Sequence, residues 1–151
     1  MPVRVQLRSV EDGDLPIFYE HQLDDEANRM ASFRPRDRDA FMAHWARILA
    51  DPTALARTIE ADGTVVGYIG SWNDNGVRLV GYWIGREHWG RGFATAGLAR
   101  FLETDPTRPL HALVAANNVG SIRVLERCGF VRSDDDIATD DDVEEFVYRF
   151  G

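Results

Sequence analysis

Apolar and polar side chains alternate with period two across residues 3–7, Val3-Arg4-Val5-Gln6-Leu7, which predicts a strand with one buried face. Asp12-Gly13-Asp14-Leu15-Pro16 then reads as a helix start, an aspartate cap with a proline in the first turn, and the helix should turn Leu15, Phe18 and Tyr19 inward. An arginine-rich loop leads to residues 37–49, where Phe41, Trp45, Ile48 and Leu49 recur at i, i+4, i+7 and i+8, one face of a second helix that Asp51-Pro52 ends. The middle of the chain changes period. Residues 55–61, 64–72 and 77–84 read as three strands, joined by the hairpin signals Asp62-Gly63 and Asn73-Asp74-Asn75-Gly76. A glycine-rich turn next feeds a helix with Ala94, Leu98, Phe101 and Leu102 on its apolar side, and Pro106 and Pro109 separate it from a strand at 110–115. Asn117 to Ser121 open a last helix with Ile122, Leu125 and Cys128 at helical spacing and Gly129 as its stop, and strands at 130–132 and 145–150 follow. The order β-α-α-β-β-β-α-β-α-β-β predicts one α+β domain over residues 1–151, with helices covering an open, twisted sheet.

Composition narrows the function classes. A chain of 151 residues, 44% hydrophobic and 28% charged, can bury a core without metal or disulfide staples. Its single cysteine, Cys128, excludes an intrachain disulfide and a multi-cysteine zinc site. No apolar run approaches the roughly 20 residues needed to span a bilayer, and the first residues lack an apolar signal core, so the expectation is a cytoplasmic protein without a membrane partner. The 25 acidic residues face 17 basic ones, all arginine. The absence of lysine removes Schiff-base chemistry and the lysine phosphate clamp, and the negative balance argues against a nucleic-acid partner. Residues 134–145 carry eight acids and no arginine, so the rest of the chain is neutral, 25 − 8 = 17 acids against 17 arginines.

The segment from Gly81 to Thr95 holds the most chemistry: strand, short connection, then Gly90-Arg91-Gly92 opening a helix. The first N–H groups of a helix lack intrahelical partners and lie at the positive end of its dipole, so such a turn suits phosphate oxygens. Glycines let the backbone come close, and Arg86 and Arg91 can add positive charge. On its own the pattern equally suits a helix entry that needs tight packing. A Walker loop is excluded by the missing Lys-Ser/Thr pair, and a dinucleotide fold by the antiparallel run that precedes the turn.

Trp89-Gly90-Arg91-Gly92-Phe93-Ala94 resembles the acetyl-CoA loop, Gln/Arg-x-x-Gly-x-Gly/Ala, of the GNAT family of N-acetyltransferases. Gly81-Tyr82-Trp83-Ile84, the Trp-Gly-x-Gly-x-Ala-Thr run, the Asn118-to-Phe130 helix with its Asn-x-x-Ser start and Gly-Phe end, and the opening Leu7-Arg8-Ser9 are similar to the branch typified by the ribosomal-protein N-terminal alanine acetyltransferases. The resemblance covers almost the whole chain. It implies the GNAT fold, a mixed, mostly antiparallel twisted sheet flanked by about four helices, with acetyl-CoA as cosubstrate, no metal, an amine acceptor as partner, and room for a homodimer.

Residue by residue, the resemblance implies that Trp83 and Ile84 offer backbone groups to the pantetheine arm, and that Trp89, Gly90, Arg91, Gly92, Phe93, Ala94 and Thr95 cradle the pyrophosphate. Asn118 would hydrogen-bond the pantetheine, and Ser121 would lie near the thioester sulfur as a proton donor to the thiolate. Helix capping is an equal reading for Asn118 and Ser121. Two positions depart from the family: Leu125 stands where many members carry a tyrosine acid, and Leu79 where many of this branch carry a glutamate. Direct attack assisted by Ser121 or water is then the economical mechanism. Neutralising a lysine-like amine at pH 7 costs about 4–5 kcal/mol, against about 1 for an α-amine, so a site without an evident base favours a low-pKa amine. The resemblance implies further candidate bases on the segments that flank the acceptor side in this family: Glu20, His21, Asp24 and Asp25 after the first helix, and Glu87 and His88 beside the glycine-rich turn, each of them otherwise a plain surface residue, with His88 the better placed as a catalytic residue.

Most of Tyr68, Trp72, Tyr82 and Trp83 should pack in the core, and Cys128, on an apolar helix face, should be a buried packing residue rather than an acyl carrier. The acidic stretch is either a solvated loop or a groove wall that attracts a cationic amine. The expected activity is acetyl transfer to a primary amine, a protein N-terminus or a small molecule, in a ternary complex. The alternative is an acyl-CoA-binding module without catalysis.

Overall fold

The computed structural model describes residues 3–139 and 143–151. In chain order these form β1 (Gln6–Ser9), a 3-10 turn (Asp12–Asp14) running into α1 (Leu15–His21), α2 (Asp25–Ala31), α3 (Arg38–Ala50), β2 (Leu55–Ala61), β3 (Thr64–Asp74) and β4 (Val77–Ile84). A second 3-10 turn (Arg86–His88) leads to α4 (Phe93–Thr104), β5 (Leu110–Ala115), α5 (Val119–Arg127), β6 (Val131–Arg132) and β7 (Glu145–Phe150). The sheet has seven strands in the order β1-β2-β3-β4-β5-β7-β6. All neighbours are antiparallel except β4 and β5, which run parallel and meet at one register position, Leu79 opposite His111. The C-terminal halves of β4 and β5 are thus unpaired with each other, and the site opens there.

Both hairpins turn through an Asx-Gly pair: Asp62 and Gly63 have φ of 50° and 77°, Asn75 and Gly76 φ of 50° and 81°. That left-handed pair matches the twist of the flanking strands. Helices α4 and α5 cover one face of the sheet over Ile59, Ile69, Val80, Leu98, Phe101 and Leu125. Helices α1 and α3 cover the other, where Phe18 and Trp45 pack on Tyr68 with both ring centroids 4.9 Å away. Each such buried side chain contributes about 1.5–3 kcal/mol of hydrophobic stabilisation.

A polar knot ties β1 and β2 to the start of α1. The Arg8 guanidinium donates to both Asp14 carboxylate oxygens, at 2.8 and 2.9 Å, and the Thr58 hydroxyl and the Glu11 N–H donate to Asp14 Oδ2 at 2.7 and 2.8 Å. Burial opposes ionisation of Asp14, but the bonds from Arg8, Glu11 and Thr58 outweigh it and hold the carboxyl at about 2. A carboxyl depressed in the folded state binds fewer protons there than in the unfolded chain, so its stabilisation is full above the ordinary value of 3.8 and is lost as pH falls through about 2. Acid unfolding followed by circular dichroism should therefore show stability declining between those limits, and Asp14→Asn should flatten that slope. An unchanged slope would remove Asp14 from the acid transition.

Four sequence expectations need correction. Residues read as an arginine-rich loop contain α2, so five helices rather than four flank the sheet among the described residues. Seven residues show too little periodicity to announce a helix; its start is fixed instead by the Asp24 side chain, which accepts from the Ala27 N–H at 2.9 Å. Leu49, expected inward, is 47% exposed, because α3 turns Phe41 and Trp45 to the core and Leu49 falls past the edge of that contact. The first strand is shifted: Val3 is exposed, Val5 is buried, and pairing with β2 begins at Gln6. Trp72, expected in the core, is 41% exposed and lays its ring over Gly81, where an added Cβ would sit 3.0 Å from the indole.

Candidate active site

The glycine-rich turn leaves β4 at Gly85, passes the Arg86–His88 turn and enters α4 through Gly90 and Gly92, whose φ angles of 78° and 81° lie in the left-handed region that favours glycine. Gly92 is the N-cap of α4 and has no side chain to cap it, so the first N–H groups of this helix of 12 residues are left for a ligand. At the end of β4 the Trp89 indole N–H donates to the Ile84 carbonyl at 2.9 Å, which pins the turn to the strand.

Opposite this turn, Asn118 caps α5: its side-chain oxygen accepts from the Ser121 N–H at 3.2 Å. The cap sets Ser121 in the first turn of α5, facing β4, where the Ser121 and Tyr82 hydroxyl oxygens lie 2.6 Å apart. Burial pushes the Tyr82 phenol up to about 12, against the opposing pull of the Ser121 hydrogen bond, so Tyr82 keeps its proton at neutral pH. Cys128 is half-buried against the core, with Sγ 3.5 Å from the Thr95 carbonyl, and burial raises its thiol above the ordinary range. It is a packing residue.

Tyr82, Asn118, Ser121 and most of the glycine-rich turn line a cleft of about 460 Å³. Of the predicted residues, Trp83, Ile84, His88, Trp89, Gly90, Gly92, Phe93, Ala94, Thr95, Asn118 and Ser121 all border it, whereas Arg91 is exposed and lies off its wall. Glu20, Asp24 and Asp25 do not reach it: Glu20 and Asp25 are exposed, and Asp24 caps α2 with its carboxylate 3.6 Å from Arg86. The Trp83 ring packs on Phe33, with centroids 5.2 Å apart, and its indole N–H donates to the His21 carbonyl at 3.3 Å. Beyond that aromatic wall a shallower hollow of about 610 Å³ runs along α2, lined by Asp25, Asn28, Arg29, Ser32, Phe33, Arg34 and Pro35. The larger hollow carries no converging hydroxyls and no helix N-terminus of comparable length, so the site is assigned to the smaller cleft.

Several lining residues were not foreseen. Tyr82, expected in the core, borders the cleft with its hydroxyl, because alternation along β4 points it away from Trp83 and toward α5. Arg123 and Arg127 border it from α5, one turn apart, a spacing visible in the sequence. Ala27, Met30 and Ala31 come from the unforeseen α2. At the two positions that depart from the family, Leu79 and Leu125 are both buried. Beside Leu79 the neighbouring strand presents His111, buried, with Nε2 2.8 Å from Asp135 Oδ2. Asp135 also accepts from Arg149 at 3.3 Å, so this part of the acidic stretch is fastened to β5 and β7 rather than solvated throughout. Asp140, Asp141 and Asp142 lie outside the described residues.

No helix among the described residues is long and apolar enough to cross a membrane. Comparison with the curated proteins finds no match. Among solved structures, an acetyltransferase from Agrobacterium tumefaciens str. C58 superposes with a TM-score of 0.81 at 23% identity, covering 100% of this chain and 93% of that one. The spermidine N-acetyltransferase of Vibrio cholerae, in complex with CoA and spermine, gives 0.77 at 20% identity, covering 96% of this chain and 92% of that chain. The aminoglycoside acetyltransferase AAC(6')-Ib, in complex with coenzyme A, gives 0.75 at 22% identity, covering 97% and 93%. At these identities the likeness establishes a shared fold, a seven-stranded mixed sheet with five flanking helices. The family follows from the sequence itself: a model described as the acetyltransferase (GNAT) domain matches residues 4–131. The chain belongs to the GNAT acetyltransferase family.

Proposed function

We propose that the protein is an acetyl-CoA-dependent N-acetyltransferase of the ribosomal-protein N-terminal alanine acetyltransferase-like branch, acting on a primary amine. The observation that carries this reading is the Tyr82–Ser121 hydroxyl pair, 2.6 Å apart, in a cleft that ends at an uncapped helix N-terminus. Acetyl-CoA would supply an acetyl thioester, open to direct attack by the amine. The chain's own groups fit that cosubstrate. The Gly90–Gly92 turn leaves room at Gly90, where an added Cβ would meet nothing within 4 Å, and presents main-chain N–H groups to phosphate. Arg123 and Arg127 add positive charge on the α5 side of the cleft. Asn118 holds Ser121 in place beside the Tyr82 hydroxyl, and from there Ser121 would pass its proton to the departing sulfur and be reprotonated by the proton that the acetylated nitrogen sheds. Two neighbours of this fold, both in complex with CoA, support the same ligand here, and their polyamine and aminoglycoside acceptors support an amine acceptor.

Release of CoA thiol from acetyl-CoA, measured with a panel of polyamines, aminoglycosides and N-terminal peptides, tests the reading. The buried Leu79 and Leu125 favour the second reading, a binding module. CoA binding without turnover on any amine would select it, and failure to bind CoA would overturn both. The turn itself can be tested separately. Gly92→Val should weaken acetyl-CoA binding about tenfold or more, because a branched side chain at a φ of 81° is strained and its Cβ would lie 3.3 Å from Val3 Cγ2. Unchanged affinity by titration calorimetry would remove the turn from the cofactor site.

A further inference from the structure

Among the described residues, His21, Glu87 and His88 bring two imidazole nitrogens and a carboxylate oxygen within 4.8 Å of one another. Glu87 Oε1 stands 3.8 Å from His21 Nε2 and 3.5 Å from His88 Nε2. Both separations are longer than a good hydrogen bond, so three lone-pair donors converge without saturating one another. In a tetrahedral site with metal–ligand bonds of about 2.0–2.1 Å, ligand atoms lie about 3.3 Å apart. The triangle is therefore a few tenths of an ångström wide on its Glu87 sides, and Glu87, with a side chain 73% exposed, is free to close it.

His21 is the fixed corner. It is the last residue of α1, only 8% exposed, and its Nδ1 is buried without a partner. Its Nε2 occupies the space a side chain at position 85 would fill: a Cβ on Gly85 would come within 2.5 Å of that nitrogen. Gly85 has φ of −58° and ψ of 136°, a conformation any residue adopts, so the backbone does not demand glycine there and the imidazole does. His88 is the corner that borders the acetyl-CoA cleft.

We propose that His21, Glu87 and His88 form a binding site for a divalent transition-metal ion of the zinc class, with water in the fourth position. Two neutral imidazoles and one carboxylate suit that class, and the exposed Glu87 leaves a side open to solvent. Coordination needs unprotonated ligands. With Glu87 ionised, a dication leaves the site a net charge of +1 beside the turn that would receive the pyrophosphate. The ion would also tie the end of α1, on the acceptor side, to the cofactor turn. His21 Nδ1 lacks the acceptor that commonly orients a ligand imidazole, so the affinity should fall about 10–100-fold short of a site with that partner.

The protein without a histidine tag, titrated with Zn²⁺ against a chromophoric chelator, should bind one equivalent. Glu87→Ala and His88→Gln, both at partly or fully exposed positions that leave the core intact, should each weaken binding by at least about tenfold. Gly85→Ala, which pushes a methyl group into the place of His21 Nε2, should do the same. His44→Gln, on α3 and outside the triangle, should bind as the parent does. Co²⁺ in place of Zn²⁺ should give the visible absorption of a low-coordinate site, absent in His88→Gln. Failure of the parent to bind an equivalent, or binding unaffected by Glu87→Ala and His88→Gln, would overturn the site. These readouts follow the metal itself and do not depend on acetyl transfer.

Discussion

Replacing Ser121 by alanine should lower kcat for acetyl transfer about 100-fold, while the KM for acetyl-CoA stays within a few-fold of its parent value. The expectation rests on what Ser121 touches. Its main-chain N–H is held by Asn118 and its hydroxyl meets the Tyr82 hydroxyl at 2.6 Å, so the side chain has one hydroxyl partner at its back. A residue that donates to sulfur only as the C–S bond breaks contributes to the transition state and little to ground-state binding. Tyr82→Phe should lower kcat by a comparable factor, because without the phenol the Ser121 hydroxyl loses the hydrogen-bond partner that orients it. Since the two act as one unit, the double variant should be little slower than either single one. Singles that multiply would make the two hydroxyls independent, and singles that leave kcat intact would take proton delivery away from them. Where many members of the family carry a tyrosine on this helix, Leu125 lies deep in the core; the phenol here comes from β4 and meets Ser121, one turn earlier on α5.

The largest loss of stability should come from Asp105→Ala, about 3–5 kcal/mol, read from urea unfolding. Asp105 ends α4 and is 2% exposed. Its carboxylate accepts from the Ser71 hydroxyl at 2.6 Å, from Arg78 Nε at 2.9 Å and from the Thr107 N–H at 3.0 Å. Burial opposes its ionisation, yet Ser71, Thr107 and Arg78 together hold the carboxyl at about 2. Removing it leaves the Arg78 guanidinium, whose side chain is only 9% exposed, without its counter-ion, and that uncompensated charge is the main cost. Ser71→Ala removes two hydrogen bonds, one donated to Asp105 and one accepted from Arg78, but keeps the ion pair, so it should cost about 1–3 kcal/mol. A loss below that for Asp105→Ala would show that Arg78 finds another partner or reaches water. Because the knot joins β3 and β4 to α4, its loss should also loosen the strand that forms one wall of the cleft.

Both predictions rest on contacts between residues far apart in sequence, and this marks where the sequence stops being readable. Local chemistry was legible wherever one residue type has one strong local preference. The Asx-Gly pairs at Asp62 and Asn75 announced the two hairpins, the glycines at 90 and 92 announced a turn into α4, and Asn118 announced the start of α5. Phe41 and Trp45 marked the inner face of α3. Helix α2 escaped because seven residues complete barely two turns, too few for periodicity to rise above a polar loop. Trp72 and Leu49 were misplaced because hydrophobicity says that a side chain gains from burial and nothing about whether an element extends past the layer that would bury it.

The sequence by itself determined the fold class, the order of nearly all elements, the glycine turn into α4 and the capped serine, because each depends on dihedral preferences, periodicity or caps that act within a few residues. Tertiary structure alone decided which side chains meet. Tyr82 faces Ser121 across 39 residues, Ser71 and Arg78 meet Asp105, and His21 comes beside Glu87 and His88 through the empty place of a side chain at Gly85. Those meetings follow from the register of β3 on β4 and from the packing of α1, α4 and α5 on the sheet, set by burial over the whole chain and carrying no local signature.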